Sequence, residues 1–478
     1  MVKNTKRKRI KDVLFEKKIG DKVIIYGWIR TRRDSKGGFS FLDVNDGSCV
    51  NGIQVVADKK LSNYETEVLK LNVGASVKVY GTIVKSLGKK QDIELLADKI
   101  EVIGWSDPSI YPLQKKRHSF EFLRTIPHLR VRTNTFGAVA RVRSSISYAI
   151  HKFFQERGFI YIHTPIITEN DCEGAGEVFK VTTFDFFDIP KKKGGSPDYS
   201  KDFFGQEAYL TVSGQLEAEA YALALGDVYT FGPTFRADNS NTPRHLAEFW
   251  MVEPEMAFSE LDRSMKVAEE FLKYLFSYTL NNCGQDVEFF NSFIDSDIIE
   301  TIEKGINEDF AKITYTEAID MLYKSNKQFQ YPVDWGIDLK TEHERYICEE
   351  VFNKPTIIVD YPKRIKPFYM KVNPDNKTVK AMDILLPRVG EIIGGSQRED
   401  DYEVLIDRMK EQGVDYKNYW WYLELRKFGS TPHAGFGLGF DRFIQFVTGL
   451  SNIRDVIPFP RTPGNLAFLN RRVYGSDI

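Results

Sequence analysis

Residues 228–256 read VYTFGPTFRADNSNTPRHLAEFWMVEPEM. Apolar text on either side of a polar loop reads as strand, loop, strand, with Arg236 where the first strand ends. Residues 435–461, GFGLGFDRFIQFVTGLSNIRDVIPFPR, read as a glycine-rich strand running into a helix that carries Arg442. Two arginines from separated segments can grip a triphosphate at its two ends. The chain has neither a GxxxxGK[ST] loop nor a GxGxxG turn at a strand–helix junction, so arginines must supply the charge. Arg244 and His245 lie across the loop and could reach the outer phosphates. Phe249 opens the returning strand and could stack on a purine. Gly435, Gly437 and Gly439 would let a flat base approach the backbone. Taken singly, each arginine reads as a surface residue; taken together, they read as a nucleotide site.

Working outward, Asp383 (AMDILLP) and Glu391 (GEIIGGSQRE) fall on neighbouring strand readings. Two carboxylates joined by phosphate oxygens suit Mg2+; a solvated carboxylate pair is the alternative. Glu173 in DCEGAGEVF, Gln215 in VSGQLEAEA, Glu253 and Glu255 in MVEPEM and Arg398 in GGSQRED are polar residues in apolar or glycine-rich text. An acid for an ammonium group, an amide for a carboxylate region and an arginine for a side-chain oxygen would together hold a zwitterion. His433, in TPHAGFG, either lines this site or makes a structural hydrogen bond.

Further strand readings (TIIVDYP, FYMKVNP, KAMDILLP, VGEIIGG) suggest a mixed, mainly antiparallel sheet with helices packed on it. Val139, Val142, Ile146, Ile150 and Phe153 share one helical face, with Gly158 where that helix would end. FIYIHTPII (159–167) reads as a strand ending near Pro165. A second long helix is expected over 260–282, with Ser259 as its N-cap. The first hundred residues instead alternate with the period of strands. Five short strands, with a helix at SNYETEVLKL, suit a small barrel of OB type, a β-sandwich being the alternative. The expected domains are 1–104 (barrel), 105–132 (hinge and basic connector) and 133–478 (catalytic). The segment 188–206, DIPKKKGGSPDYSKDFFGQ, reads as a loop, either a lid or an inert insertion.

The balance of charge sharpens the division. Net charge is −1 over 478 residues, yet residues 1–104 carry +8 and the remainder −9. A basic small domain on an acidic large one suggests that the former meets a polyanion. Six of the residues from Lys3 to Lys11 are basic, a solvated arm or a nucleic-acid contact. No run of eighteen apolar residues predicts a membrane span, and the N-terminus lacks the apolar core of a signal peptide. Cys49, Cys172, Cys283 and Cys348 are far apart and form no CxxC pair, which fits a reducing cytoplasm.

Pro165 after a long helix, the FR…RHLAEFWMVEPE segment and GFGLGFDR resemble the three signature motifs of class II aminoacyl-tRNA synthetases. GWIRTRRDSKGGFSFLDVNDGS resembles the anticodon-binding OB-fold of their aspartate/asparagine/lysine subgroup. DCEGAGEVF, LTVSGQLEAEAYALALGDVYTFGPTFRADNSNTPRHLAEFWMVEPEMAF and GEIIGGSQRED resemble its asparagine branch, bacterial type. The resemblance implies an α+β chain: a mainly antiparallel sheet flanked by helices, plus a five-stranded barrel. It also implies a homodimer with the Pro165 segment at the subunit interface. Asparagine and ATP would give asparaginyl-adenylate and pyrophosphate, and tRNA(Asn) would then take the aminoacyl group.

By motif position, Arg236 and Arg442 would be the catalytic residues. Arg236 would hold the α-phosphate; Arg244, His245 and Arg442 would hold a bent triphosphate; Phe249 and Arg442 would sandwich adenine. Asp383 and Glu391 would carry Mg2+. Glu173 and Gln215 would take the ammonium and carboxylate of the substrate. Arg398 would donate to its side-chain oxygen, and Glu253 would accept from its amide and repel an aspartate. Aspartate enzymes of the subgroup have a lysine just after the glutamine matching Gln215; here Leu216-Glu217-Ala218-Glu219 follows instead. In the barrel, Phe41 and Gln54 match positions that stack on and hydrogen-bond the central anticodon base, with Arg30, Arg32 and Arg33 as phosphate contacts. The rival readings are an aspartate or lysine sister enzyme, a nucleic-acid-binding protein on an inactive synthetase fold, and a tRNA-independent amide ligase.

Overall fold

The computed structural model describes residues 6–88, 91–170, 172, 177–240 and 242–466. It has two compact units: one within residues 6–142 and 284–289, the other within 143–283 and 290–466.

In the first unit, strands β1 (Lys22–Ser35), β2 (Phe39–Asn45), β3 (Ile53–Asp58), β4 (Ser76–Lys85) and β5 (Ile93–Gly104) close into a barrel in the order β1-β2-β3-β5-β4. Closure rules out the sandwich. The alternation predicts the inner face: Val23, Ile25, Leu42, Val44, Ile53, Val55, Val77 and Val79 are all buried. SNYETEVLKL forms turns and a short 3-10 helix, Val68–Lys70, instead of an α-helix. The side chain of Asn63 donates to Ile100 O (2.9 Å), and Arg32 donates to the carbonyls of Leu69 and Leu71, so the helical ladder is replaced by tertiary bonds.

The second unit contains β6 (Ile160–Tyr161), β7 (Ile167–Thr168), β8 (Lys180–Val181), β9 (Ala208–Leu210), β10 (Asp227–Phe235), β11 (Glu248–Ala257), β12 (Ala311–Thr314), β13 (Thr356–Pro362), β14 (Thr378–Leu386), β15 (Gly390–Gln397) and β16 (His433–Gly439). Eight of these form one sheet, in the order β12-β13-β14-β15-β16-β11-β10-β6. Only the outermost pairs, β12 with β13 and β10 with β6, are parallel. β7, β9 and β8 form a small separate sheet. FIYIHTPII is thus two short strands rather than one, because Pro165 cannot donate to a ladder and interrupts it.

The helix over Asn134–Glu156 buries all five residues of its expected apolar face. The helix expected over 260–282 runs from Leu261 to Phe293, through non-helical geometry at Cys283. Its N-cap is Glu260 and not Ser259, and no side chain caps it. GFGLG explains which sheet face holds the core. Phe436 and Leu438 are buried, with Phe436 against Phe271 at 6.4 Å, while the alternate glycines face the other way. On that core side, Phe276 stacks on Phe443 of the helix Phe440–Thr448 at 5.8 Å.

Candidate active site

The glycine face of the sheet carries the site. Register places Thr230 opposite Glu253, Gly437 opposite Gly394, and Gly394 opposite Asp383. Val252 pairs with Leu438, so Glu253 lies beside Gly437. The result is a row across five strands in which Glu253 and Asp383 flank a bare backbone floor, with Thr230 beyond Glu253. A Cβ at Gly394 would sit 3.0 Å from Glu391 Oε1 and 3.5 Å from Asp383 Oδ1.

Above this floor lies a cleft of about 800 Å3, open mouth included, lined by Arg236, Arg244, His245, Phe249, Glu391 and Arg442 among others. A space of this size suits a nucleotide. All five residues expected to bind ATP therefore come together. Arg236 follows β10 directly, and its guanidinium lies 5.5 Å from the Phe249 ring centroid. Arg442, in the first turn of its helix, donates to Glu391 O at 2.9 Å. Arg244 donates to Thr341 Oγ1 (2.5 Å) and Arg388 O (3.3 Å). Burial lowers its pKa, and Arg442 and Arg345 lower it further. His245 is also lowered, by burial and then by Arg442, which favours the neutral ring. Such a cluster of partly desolvated cations is stabilised by a polyanion between its members.

The carboxylates are held differently. Burial pushes Glu391 up, but Arg442, Lys366 and Arg236 outweigh it and hold it ionised. Lys366 Nζ donates to Asp383 Oδ2 at 2.7 Å, while Oδ1 faces the floor. Glu344 accepts from the backbone N–H of Glu391 at 3.2 Å. Its pKa rises to about 7 through burial and the charge of Glu391. Among the described residues, no three His, Cys, Asp or Glu side chains gather as a metal site.

Beyond Met251, the same face of β11 continues into a buried polar network. Glu253 accepts from Ser213 Oγ, Gly214 N (3.1 Å) and Thr230 Oγ1 (3.1 Å). Ser213 Oγ also accepts from Gln215 N, and Gln215 Nε2 donates to Glu219 at 3.0 Å. Glu219 is fully buried and takes Tyr422 OH (2.8 Å), Arg426 Nη2 (2.8 Å) and His433 Nε2 (3.0 Å). Burial raises its pKa, but Arg426, His433 and Arg398 outweigh burial and hold it well below the usual carboxylate range. Arg398 forks onto Glu255 through Nε and Nη2 and gives Nη1 to Ser396 Oγ (2.8 Å). Three of its five N–H donors are thus engaged.

The structure thus joins Gln215 and Glu253 by hydrogen bonds through Ser213, and Arg398 meets the same cluster through an ion pair with Glu219 at 3.9 Å. Glu173 lies outside the described residues. Sequence reasoning missed Glu344, Lys366, Glu219, Tyr422 and Arg426 as parts of these clusters. Lys366 and Glu344 sit in charged text with no motif. Glu219 carried one signal, an acid in the apolar helix Gln215–Leu225.

On the barrel, Phe41 and Gln54 share a face with Arg33. The Arg33 guanidinium lies over the Phe41 ring (5.6 Å), and its Nη2 donates to Gln54 Oε1 (3.2 Å). Arg32 turns away to the 68–71 carbonyls, and Arg30 faces Tyr111 and Arg132.

A mainly antiparallel sheet with a glycine floor, beside a cleft where arginines from the loop after β10 and from the helix after β16 converge, defines a synthetase of class II. The chain belongs to the class II tRNA synthetases (D, K and N), a family that matches residues 120–463. An OB-fold nucleic acid binding domain matches residues 23–103. The asparagine–tRNA ligase of Synechocystis sp. is 60% identical over 97% of this chain and 100% of that protein. The ligase of the same name from Clostridium tetani is 59% identical over 95% of this chain and 97% of its own. The crystal structure of Pyrococcus horikoshii asparaginyl-tRNA synthetase complexed with asparaginyl-adenylate superposes with TM-score 0.84 at 35% identity, covering 96% of this chain and 99% of that one. An aspartyl-tRNA synthetase from Entamoeba histolytica, at 23% identity and TM-score 0.76, covering 97% of this chain and 92% of that one, shares the fold alone.

Proposed function

We infer that this chain is an asparagine–tRNA ligase, an ATP-dependent enzyme that makes asparaginyl-adenylate and transfers the asparaginyl group to tRNA(Asn). The observation that carries this reading is the 60% identity to a ligase of that name over nearly the whole chain. Neither step needs a protein nucleophile, because the substrate carboxylate and the tRNA hydroxyl attack. Positioning and charge stabilisation supply the rate.

In this reading Arg236, stacked on Phe249, meets the α-phosphate as its charge grows. Arg244, His245 and Arg442 hold the outer phosphates, and adenine lies between Phe249 and Arg442. Glu391 and the outward oxygen of Asp383 fit Mg2+: they are two hard oxygens above the bare Gly394, with phosphate oxygens to complete the shell. The ion would neutralise phosphate charge. Gln215 meets the substrate carboxylate. Glu253, with three donors already placed on its roughly four acceptor positions, has room for one amide N–H. Arg398, with two donors unspent, faces the side-chain oxygen. Residues 1–104 form the anticodon-binding part, with Phe41, Gln54 and Arg33 at its face, Arg30 and Arg32 standing apart from them, and residues 133–478 form the catalytic part. A homodimer is supported by the exposed apolar strip beside Pro165: Ile160, Tyr161, Ile166 and Ile167.

Amino-acid-dependent ATP–pyrophosphate exchange tests the assignment. Asparagine should support exchange, and aspartate should fail by at least about 100-fold, since a carboxylate facing Glu253 meets repulsion and an unmade hydrogen bond. Glu253→Ala should cost about 2 kcal/mol or more in kcat/KM for asparagine. Equal rates with both amino acids would sink the specificity.

A further inference from the structure

A second cavity lies entirely within the barrel-containing unit, on the side of β1 that carries Trp28 and Arg30. It measures about 1160 Å3, open mouth included. Trp28, Arg30, Tyr111, Lys115, Lys116 and Arg132 are among its lining residues, and no Asp or Glu is. In a chain with 66 basic and 67 acidic side chains, four cations without an acid on one cavity wall is a marked local imbalance.

The Nε of Arg30 is buried with no hydrogen-bond partner among the described residues. Burial lowers the pKa of Arg30; Tyr111 and Asp43 oppose this, and the nearby charges of Arg132 and Arg141 add to it. Asp43 is itself raised by burial. The Arg132 guanidinium lies over two rings, Trp28 at 5.8 Å and Tyr111 at 6.0 Å. Arg141, by contrast, is engaged by Asp286 at 2.6 Å. A desolvated guanidinium with an unmet donor is costly to keep, and a multivalent anion relieves it. Rings beside the cations add a stacking surface for a planar group.

We propose that this cavity is a nucleotide-binding site, distinct from the catalytic cleft and from the Phe41–Gln54 face, in which Arg30, Arg132, Lys115 and Lys116 take a phosphate and Trp28 with Tyr111 flank its base. That chemistry can come from a nucleotide of a bound RNA or from a free nucleotide. It does not depend on which amino acid the enzyme activates.

The test uses the full-length enzyme without ATP, the Trp28→Phe variant accounting for any signal from the catalytic cleft. Uridine 3′,5′-bisphosphate, which has no adenine, is titrated while tryptophan fluorescence is followed, with Trp28→Phe as the background. Separately, tRNA binding is measured against salt concentration. Two variants are compared with the parent: Arg132→Gln, and the double change Lys115→Gln with Lys116→Gln, whose side chains are exposed and carry no folding load. A free-nucleotide site gives saturable quenching that is absent in Trp28→Phe and weakened at least about 10-fold in both variants. An RNA nucleotide leaves quenching weak, but lowers the slope of log affinity against log salt by about 0.7–0.9 for each phosphate no longer neutralised. Either outcome upholds the site. No quenching from Trp28 together with an unchanged salt slope in the lysine variant overturns it.

Discussion

Arg236 and Glu344 show how single side chains are tuned by what lies within a few ångströms. Arg236 has its guanidinium against Phe249, so its fork is held in place before any phosphate arrives. Arg236→Ala should lower turnover by about 100-fold or more, as loss of one preorganised donor does, with circular dichroism unchanged. An unfolded variant would make the residue structural instead. Glu344 titrates near 7, against a usual value of 4.5. A folded pKa above the unfolded one means that the proton stabilises the fold. That contribution is present below about pH 4.5 and is lost as pH rises through about 7. Glu344→Gln removes the loss, so its stability relative to the parent should be about 1–3 kcal/mol better at pH 8 than at pH 5 in urea unfolding. An equal difference at the two pH values would show that Glu344 titrates normally.

At the level of elements, the site is a property of strand register. The residues of GFGLG alternate between core and cleft, and the bare row Gly437–Gly394 exists because β15 and β16 pair in that register. Gly394 has no left-handed backbone to protect, so alanine there tests space alone. Gly394→Ala places a methyl between Asp383 and Glu391 and should raise the KM for ATP and the Mg2+ needed for half-maximal exchange by about 10-fold, an overpacking cost of about 1–3 kcal/mol confined to the site. Unchanged Mg2+ dependence would separate these carboxylates from the metal.

Much at this level was legible in the chain: the barrel strands, the 228–256 hairpin and the apolar face of Asn134–Glu156 all follow from period. Less legible were the choices set by competing bonds. Asn63 and Arg32 draw SNYETEVLKL out of an α-helix, and a one-residue shift moves the cap from Ser259 to Glu260.

For the molecule as a whole, two features ask for partners. The strip Ile160, Tyr161, Ile166 and Ile167 beside Pro165 is between 37% and 44% exposed, more apolar surface than an isolated chain keeps without cost. Ile167→Asp should shift sedimentation toward a monomer and reduce exchange activity with it. A monomeric parent would sink the dimer. The division of charge, +8 on residues 1–104 against −9 on the rest, assigns the polyanion to the barrel end.

By itself the chain's text determined most of the elements, the alternation that bares one sheet face, and the inventory of arginines and carboxylates for the cleft, since period and local chemistry act over a few residues. Only the tertiary structure decided their company. Glu219 meets Tyr422, Arg426 and His433 from more than two hundred residues away, and Arg33 rather than Arg32 joins Phe41. The first set is settled by packing across the whole domain, with no short window of sequence holding both partners; the second is settled by the β1–β2 register, which a bulge between Ile29 and Thr31 shifts.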